Sequence, residues 1–307
     1  MKRPPWLGPL VALVAVYVVF AALSPEMFLR PQIMLTMARQ TVVVAIFSLG
    51  MTMIIVTGGI DLSTGSLVAL VTVILAKRLH DGSGPVAAVL VALAVSTAVG
   101  AVVGVLVGRM KLLPFIATLG SMSILRGSAK GLAKEQMITC DSRGLEKLLS
   151  GSLTSPGLFI AVALALAVAA MLRYTRFGRH VFAVGSNEAA ARLVGIDTGR
   201  VKIAVYALAG LLVGIAGVME FSTLTVGDPT DAIGLELEVI AAVVIGGASL
   251  TGGEGSIAGA VMGALLMTVI KMGATSRGMP NWVQEIATGL IIVIAVALDR
   301  RRRARGR

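Results

Sequence analysis

The chain carries one cysteine, Cys140, in 307 residues, so no intrachain disulfide can form. A disulfide-stapled secreted domain and a cysteine-rich metal centre are both excluded. Histidine is nearly as scarce: His80 and His180 lie far apart and no HExxH pair exists, which argues against a membrane metalloprotease. A GxxxxGK(S/T) stretch is absent, so the chain has no nucleotide-binding P-loop of its own. The GxSxG elbow is absent too, and no nucleophile–base pair presents itself, so no catalytic residue, metal site or bound cofactor is expected. Charge is also in short supply. Asp, Glu, Lys and Arg make up 14% of the chain, against about 25% in an average soluble domain. That is too little to coat a water-soluble globule of this size. Aromatic residues, at 4%, are too few for a large aromatic core.

Apolar residues are abundant, at 56% of the chain with a mean hydropathy of +0.92. The fold class this implies is an all-α polytopic membrane protein. A spanning helix needs about 20 apolar residues, so with short loops the length allows about ten crossings. Apolar segments lie near 7–23, 40–57, 62–79, 85–108, 114–131, 157–173, 203–222, 235–250, 253–272 and 283–299. Several are short and bounded by glycine. Segments 114–131 and 235–250 are the weakest and read as candidates for half-spanning or broken helices. The first segment, after Lys2 and Arg3, has the look of a signal peptide, but an uncleaved first span fits a chain this hydrophobic better. The polar stretches 132–156 and 174–202 are too short to bury a core, so residues 1–307 are expected to form a single transmembrane domain.

Lys and Arg placement sets the expected orientation. Basic residues gather at Lys2-Arg3, at Arg109 and Lys111, between Arg173 and Lys202, and from Arg300 to Arg307. Ten crossings put all of these on the cytoplasmic side, with both termini inside; nine would place the arginine tail outside. The tail at 300–307 therefore reads as an anchor to anionic lipid rather than a nucleic-acid patch. Most of the +11 net charge is topology.

Glycine is frequent, at 36 residues, and partly periodic. Gly100, Gly104 and Gly108 repeat every four residues, as do Gly255, Gly259 and Gly263. That spacing places each set on one helical face. In lipid, helices associate through close backbone approach, so these stripes are expected to be helix-packing faces.

Polar interruptions are few and conspicuous. Segment 57–66 holds Gly58, Gly59, Asp61 and Ser63; the paired glycines predict a helix break, with Asp61 or Ser63 capping the next helix. Segment 246–256 is a second glycine-rich turn, with Glu254 as its only charge. Glu236 and Glu238 open the segment before it; at i and i+2 they point to different sides of a helix and complement its dipole. These seven residues, Gly58, Gly59, Asp61, Ser63, Glu236, Glu238 and Glu254, are the candidates for the pathway and its gates, because intramembrane ionisable groups are functional by default.

Loop 174–202 predicts a short helix through Glu188-Ala189-Ala190-Ala191-Arg192-Leu193-Val194, preceded by Gly185. Ser186 or Asn187 serves as N-cap, Glu188 and Arg192 form an i,i+4 pair in the favoured order, and Gly195 ends it. A stable exposed helix is more than a connector needs; it suits a docking element for a soluble partner, or a helix resting on lipid.

Four stretches together resemble the inner-membrane permease family of bacterial ATP-binding-cassette sugar importers, in its ribose/xylose/galactoside branch. They are Thr57-Gly-Gly-Ile-Asp-Leu-Ser-Thr-Gly-Ser66, Leu113-Pro-Phe-Ile-Ala-Thr-Leu-Gly120, Arg176-Phe-Gly-Arg179 through Gly185-Ser-Asn-Glu-Ala-Ala-Ala-Arg-Leu-Val-Gly-Ile196, and Glu236 through Gly247 with Gly252-Gly-Glu-Gly-Ser256. Their order and spacing cover nearly the whole chain. Thr64 stands where the family usually has a residue such as Val, and Glu238 where it often has Asp. The resemblance implies a multi-pass subunit of the bacterial inner membrane, not an enzyme. Two permease copies or paralogues would form the pathway, a cytoplasmic ATPase would hold ATP and magnesium, and a periplasmic binding protein would deliver the sugar. Gly185 to Gly195 would then include the helix that sits in a groove of the ATPase. The rival is a stand-alone secondary transporter or channel for a small polar solute. The substrate is not legible: the few aromatics (8 Phe, 3 Tyr and 2 Trp) do not cluster with polar residues.

Overall fold

Each of the ten apolar segments coincides with a helix. The computed structural model of the chain describes residues 7–149 and 155–306, with side chains at all but positions 27, 295 and 298–306. The basic groups of Lys2, Arg3 and the 300–307 tail lie outside the described side chains. In chain order the helices are α1 (Leu7–Leu23), α2 (Pro25–Phe28), α3 (Pro31–Val56), α4 (Thr64–His80), α5 (Pro85–Gly108), α6 (Pro114–Ala133), α7 (Pro156–Tyr174), α8 (Arg176–Ser186), α9 (Glu188–Leu193), α10 (Thr198–Leu224), α11 (Leu235–Ile245), α12 (Ile257–Ser276) and α13 (Asn281–Gly306). Among the described residues, α3, α5, α7, α10 and α12 are long and apolar enough to cross a membrane. The shorter helix α1 and residues 281–294 of α13 are apolar as well. The chain is an all-α polytopic membrane protein.

Proline opens α3, α5, α6 and α7, at the position where its missing N–H costs nothing. A helix that is apolar all round belongs in the interior, and α3 is the clearest case: from Thr41 to Val56 every residue is buried. Helices α10, α12, α11 and α7 pack around it. On α5 only one stripe is buried, made of Ala88, Ala92, Ser96, Gly100, Val103, Gly104 and Val107. Its other face exposes Val86, Leu90 and Val102, and α7 likewise exposes Phe159, Val162 and Leu166. Apolar surface of this extent belongs against lipid or another subunit.

The stripe on α5 lies along α10. A Cβ on Gly100 would overlap the Tyr206 carbonyl oxygen, one on Gly104 would meet Ile203 Cα at 2.8 Å, and one on Gly108 would meet the Gly199 carbonyl oxygen at 2.7 Å. The second stripe is shorter than its spacing predicts. Gly259 and Gly263 lie on α12 and press on the backbone of Gly246 and Ala242. Gly255 precedes the helix, in the turn, and faces Val56, where a Cβ would meet Cγ2 at 2.5 Å.

Two boundaries differ from the apolar pattern for the same reason. Helix α11 ends at Ile245 and α12 begins only at Ile257, because Gly247, Gly252 and Gly253 take positive φ between them. The turn is thus longer, and α11 shorter, than hydropathy alone marks. At the other end of the bundle, a two-residue ladder pairs Ile138–Thr139 antiparallel with Val226–Gly227. It ties the segment after α6 to the end of α10.

Candidate functional site

Loop 174–202 is more helical than its composition predicts. Thr175 caps α8 by accepting the Gly178 N–H at 3.1 Å. Gly178, Val181 and Val184 then form a buried face, with Gly178 pressed on the Leu172 backbone. Ser186 is the last residue of α8, so it is not the cap of the next helix. That cap is Asn187, which leaves helical geometry and accepts the Ala190 N–H at 2.9 Å.

Helix α9 follows, with Ala189, Ala190 and Ala191 in its turns. Glu188 Oε1 pairs with Arg192 Nη2 at 2.5 Å and its Oε2 with Lys202 Nζ at 2.8 Å. Arg192 Nε also donates to Thr198 Oγ1 at 3.0 Å. These contacts lash α9 to the start of α10. Partial burial alone would raise the Glu188 pKa, but the hydrogen bonds from Lys202 and Arg192 outweigh it and hold the carboxyl below its ordinary value. At Gly195 the chain turns with φ +84°, and the N–H of Ile196 returns to the Ala191 carbonyl at 3.0 Å, a Schellman ending. The apolar tip is left bare: Leu193 is 89% and Val194 77% exposed.

Gly185 anchors this unit in the bundle. A Cβ there would overlap the carbonyl oxygen of Val56, the last residue of α3, and would lie 2.7 Å from Gly253 N. A Cβ on Gly252 would meet the Gly185 carbonyl at 2.7 Å and Gly58 N at 3.0 Å. The Gly253 N–H donates to the Val56 carbonyl at 2.8 Å. The two polar interruptions, 194 positions apart where Gly58 meets Gly252, therefore meet each other and the end of α8.

Within the first interruption, Asp61 is buried and acts locally. Its Oδ1 accepts both the N–H of Ser63, at 2.8 Å, and its hydroxyl, at 2.6 Å. Ser63 stands at the N-cap position of α4 but makes no side-chain cap bond. The expected cap is thus replaced by an Asx-type turn one step upstream. Gly59 leaves room for the buried Tyr206 hydroxyl, 2.6 Å from where a Cβ would stand. Thr118 of α6 donates to the Ile60 carbonyl at 3.2 Å.

Glu236 and Glu238 diverge. Glu238 is buried and meets Lys271 of α12 at 3.2 Å. Glu236 lies over the first turn of α4, where Gly65 leaves space for its carboxylate, against the positive end of that helix. Glu254 is exposed in the second turn, and its carbonyl accepts the Ser249 N–H at 3.0 Å.

Sequence reasoning passed over several charges that the fold brings together. Arg126 of α6 donates through Nη1 to the carbonyls of Pro229, at 2.9 Å, and Asp231, at 2.7 Å. It interacts electrostatically with Glu236, Asp231 and Asp228. Glu220 of α10 interacts with Asp231, Lys271 and Glu238. A signal was present: Arg126, Glu220 and Lys271 each interrupt an apolar segment, and a charge at the centre of a span costs about 2.5–3.5 kcal/mol on insertion scales.

Comparison with known proteins matches residues 33–296 to the family described as branched-chain amino acid transport system / permease component. The ribose import permease protein RbsC of Bacillus subtilis is 38% identical over 306 residues, covering 97% of this chain and 94% of that protein. RbsC of Escherichia coli K12 is 37% identical over 300 residues, covering 95% and 93%. The fructose import permease protein FrcC of Rhizobium meliloti is 34% identical over 303 residues, covering 95% and 84%. No solved structure matches.

Proposed function

The chain belongs to this family of importer permease components, and on that premise we propose that it forms the membrane pathway of an ATP-driven importer for a monosaccharide or related small polar solute. The relatives named for ribose and fructose import support that solute class. In this proposal a separate cytoplasmic ATPase supplies the energy, with ATP and magnesium bound there. A periplasmic binding protein presents the solute, and a second permease copy or paralogue completes the path among membrane lipids. Both termini and the α8–α9 unit face the cytoplasm, as the basic residues around Arg173–Lys202 favour.

The observation that carries the proposal is α9. It is capped at both ends, held by two ion pairs, and presents Leu193 and Val194 to solvent. Burying each such side chain in a partner's groove contributes about 1.5–3 kcal/mol. A push on α9 passes along α8 to Gly185, which touches the end of α3 and the turn between α11 and α12. Both are places where a helix is already broken, so displacement there costs fewer backbone hydrogen bonds than bending an intact helix. Nucleotide-driven closure of the ATPase thereby reaches two gates from one contact.

The test is uptake into proteoliposomes holding this chain with its cognate ATPase and binding protein. Uptake is expected to require ATP and the binding protein, and to survive a protonophore. Uptake by this chain alone, abolished by the protonophore and indifferent to ATP, would establish the stand-alone secondary transporter instead.

A further inference from the structure

Between Gly227 and α11 the backbone is irregular, and its depth can be read from α4. A Cβ on Gly227 would meet Ala76 and Val73, whereas Gly65 faces the Ala232 carbonyl and Glu236. At 1.5 Å per residue, Gly65 lies about 20 Å below Arg78, near the far end of the same helix. The segment thus descends from one side to the middle of the bundle without forming a helix. Non-helical backbone at membrane depth is tolerated only where protein buries it or where it lines a water-filled path. This segment is not sealed within the chain: Thr230 is exposed, and Ile233 is 72% exposed.

Its polar groups have been arranged but not exhausted. Arg126 reaches across from α6 to hold two of its carbonyls. Asp228 accepts the N–H and hydroxyl of Thr230, each at 2.7 Å. Asp231 Oδ2 and Glu236 Oε2 are buried and have no hydrogen-bond partner among the described residues. Buried oxygens of this kind call for a donor.

We propose that the segment Asp228–Glu236, braced by Arg126, is a solute-contact station in the translocation path, where the Asp231 and Glu236 carboxylates accept hydrogen bonds from the hydroxyls of a neutral polyol. The proposal rests on reading the chain as an importer permease and names where its solute is touched. Three carboxylates beside one guanidinium repel anions. Among the described residues no group suited to hold a metal ion is found. A polyol offers adjacent hydroxyl donors to each carboxylate and hydroxyl acceptors to Arg126. No aromatic ring belongs to the segment, so the segment itself offers the solute hydrogen bonds and no stacking face.

The assembled transporter in proteoliposomes, given radiolabelled aldopentoses and aldohexoses, tests this with Asp231→Asn and Glu236→Gln. Uptake is expected to fall at least tenfold, or preference between epimers to change at least fivefold. Unchanged uptake and preference would overturn the station, as would uptake of a small cation in place of sugar. A second measurement does not depend on these variants folding well. On a Cys140→Ser background, Thr230→Cys is expected to react with a hydrophilic, membrane-impermeant thiol reagent, more slowly when sugar is present. Reaction only with a lipid-soluble reagent, or a disulfide between two copies, would overturn the proposal. If wild-type ATP hydrolysis ignores the binding protein, the importer reading fails, while the labelling of Thr230→Cys still reports on the station.

Discussion

The backbone N–H of Gly253 donates to the carbonyl oxygen of Val56 at 2.8 Å, joining the turn before α12 to the last residue of α3. The same carbonyl is what a side chain on Gly185 would strike. One backbone oxygen therefore sits where the exposed helical unit and both broken-helix segments converge.

Gly185→Val is expected to break this junction, because its side chain has backbone rather than flexible atoms to displace. ATP hydrolysis by the assembled transporter should lose at least tenfold of its response to the loaded binding protein, and the melting temperature in detergent should drop. Gly195→Ala is the control. Nothing lies within 4 Å of a Cβ there, so only the left-handed backbone opposes it, at about 1–2 kcal/mol, and much of the response should survive.

Docking and folding of α9 can be separated. Leu193→Asp with Val194→Asp leaves the Asn187 side-chain cap and the ion pairs in place, so the permease should keep its yield and melting temperature but no longer co-purify with the ATPase. Glu188→Ala with Arg192→Ala acts on the helix itself. It leaves Lys202, whose side chain is 15% exposed, without its carboxylate, and should uncouple ATP hydrolysis from transport. Normal uptake in that double variant would remove α9 from the mechanism.

The Glu188 carboxyl titrates below its ordinary value of 4.5. A lowered folded-state pKa means that its stabilising effect is complete above the ordinary value and is lost as the pH falls through the lowered one. The stability of the folded permease should thus show no Glu188-dependent change between about pH 5.5 and 8. At a pH below 4.5, wild type should weaken toward Glu188→Gln, measured as the melting temperature in detergent. A difference between the two that vanished on raising the pH would contradict the sign.

Glycine contacts divide into filled and open. Gly104→Leu and Gly259→Leu would drive side chains into the backbones of α10 and α11; overpacking typically costs about 1–3 kcal/mol, and contact with rigid backbone belongs at the upper end. Both should fail to accumulate as monodisperse protein. Gly120 and Gly127 on α6 have nothing within 4 Å of a Cβ. Gly127→Ala should leave the yield and melting temperature unchanged, as size-exclusion chromatography and a thermal ramp would report.

Much was legible without coordinates. Residues 85–108 mark α5 to the residue, because an apolar run, an opening proline and a glycine at four-residue spacing are all local signals. The Glu188–Arg192 pair and the stop at Gly195 are local as well. The cap at Asn187 was one of two readings, and α8 was missed, because its buried face of Gly178, Val181 and Val184 makes sense only against α7 and α10.

By itself, then, the sequence determined the membrane class, the helices and the family, since hydropathy, helix period and motif spacing act over a few residues at a time. Only the tertiary structure decided which polar residues share a place. Arg126 and Asp231 stand 105 positions apart and meet because α6 and an irregular segment converge on α4. Gly185, Val56 and Gly253 meet because the two glycines let their backbones approach the Val56 carbonyl directly. Such meetings depend on how helices cross in an apolar medium, where packing geometry decides the neighbours and charge pattern along the chain does not.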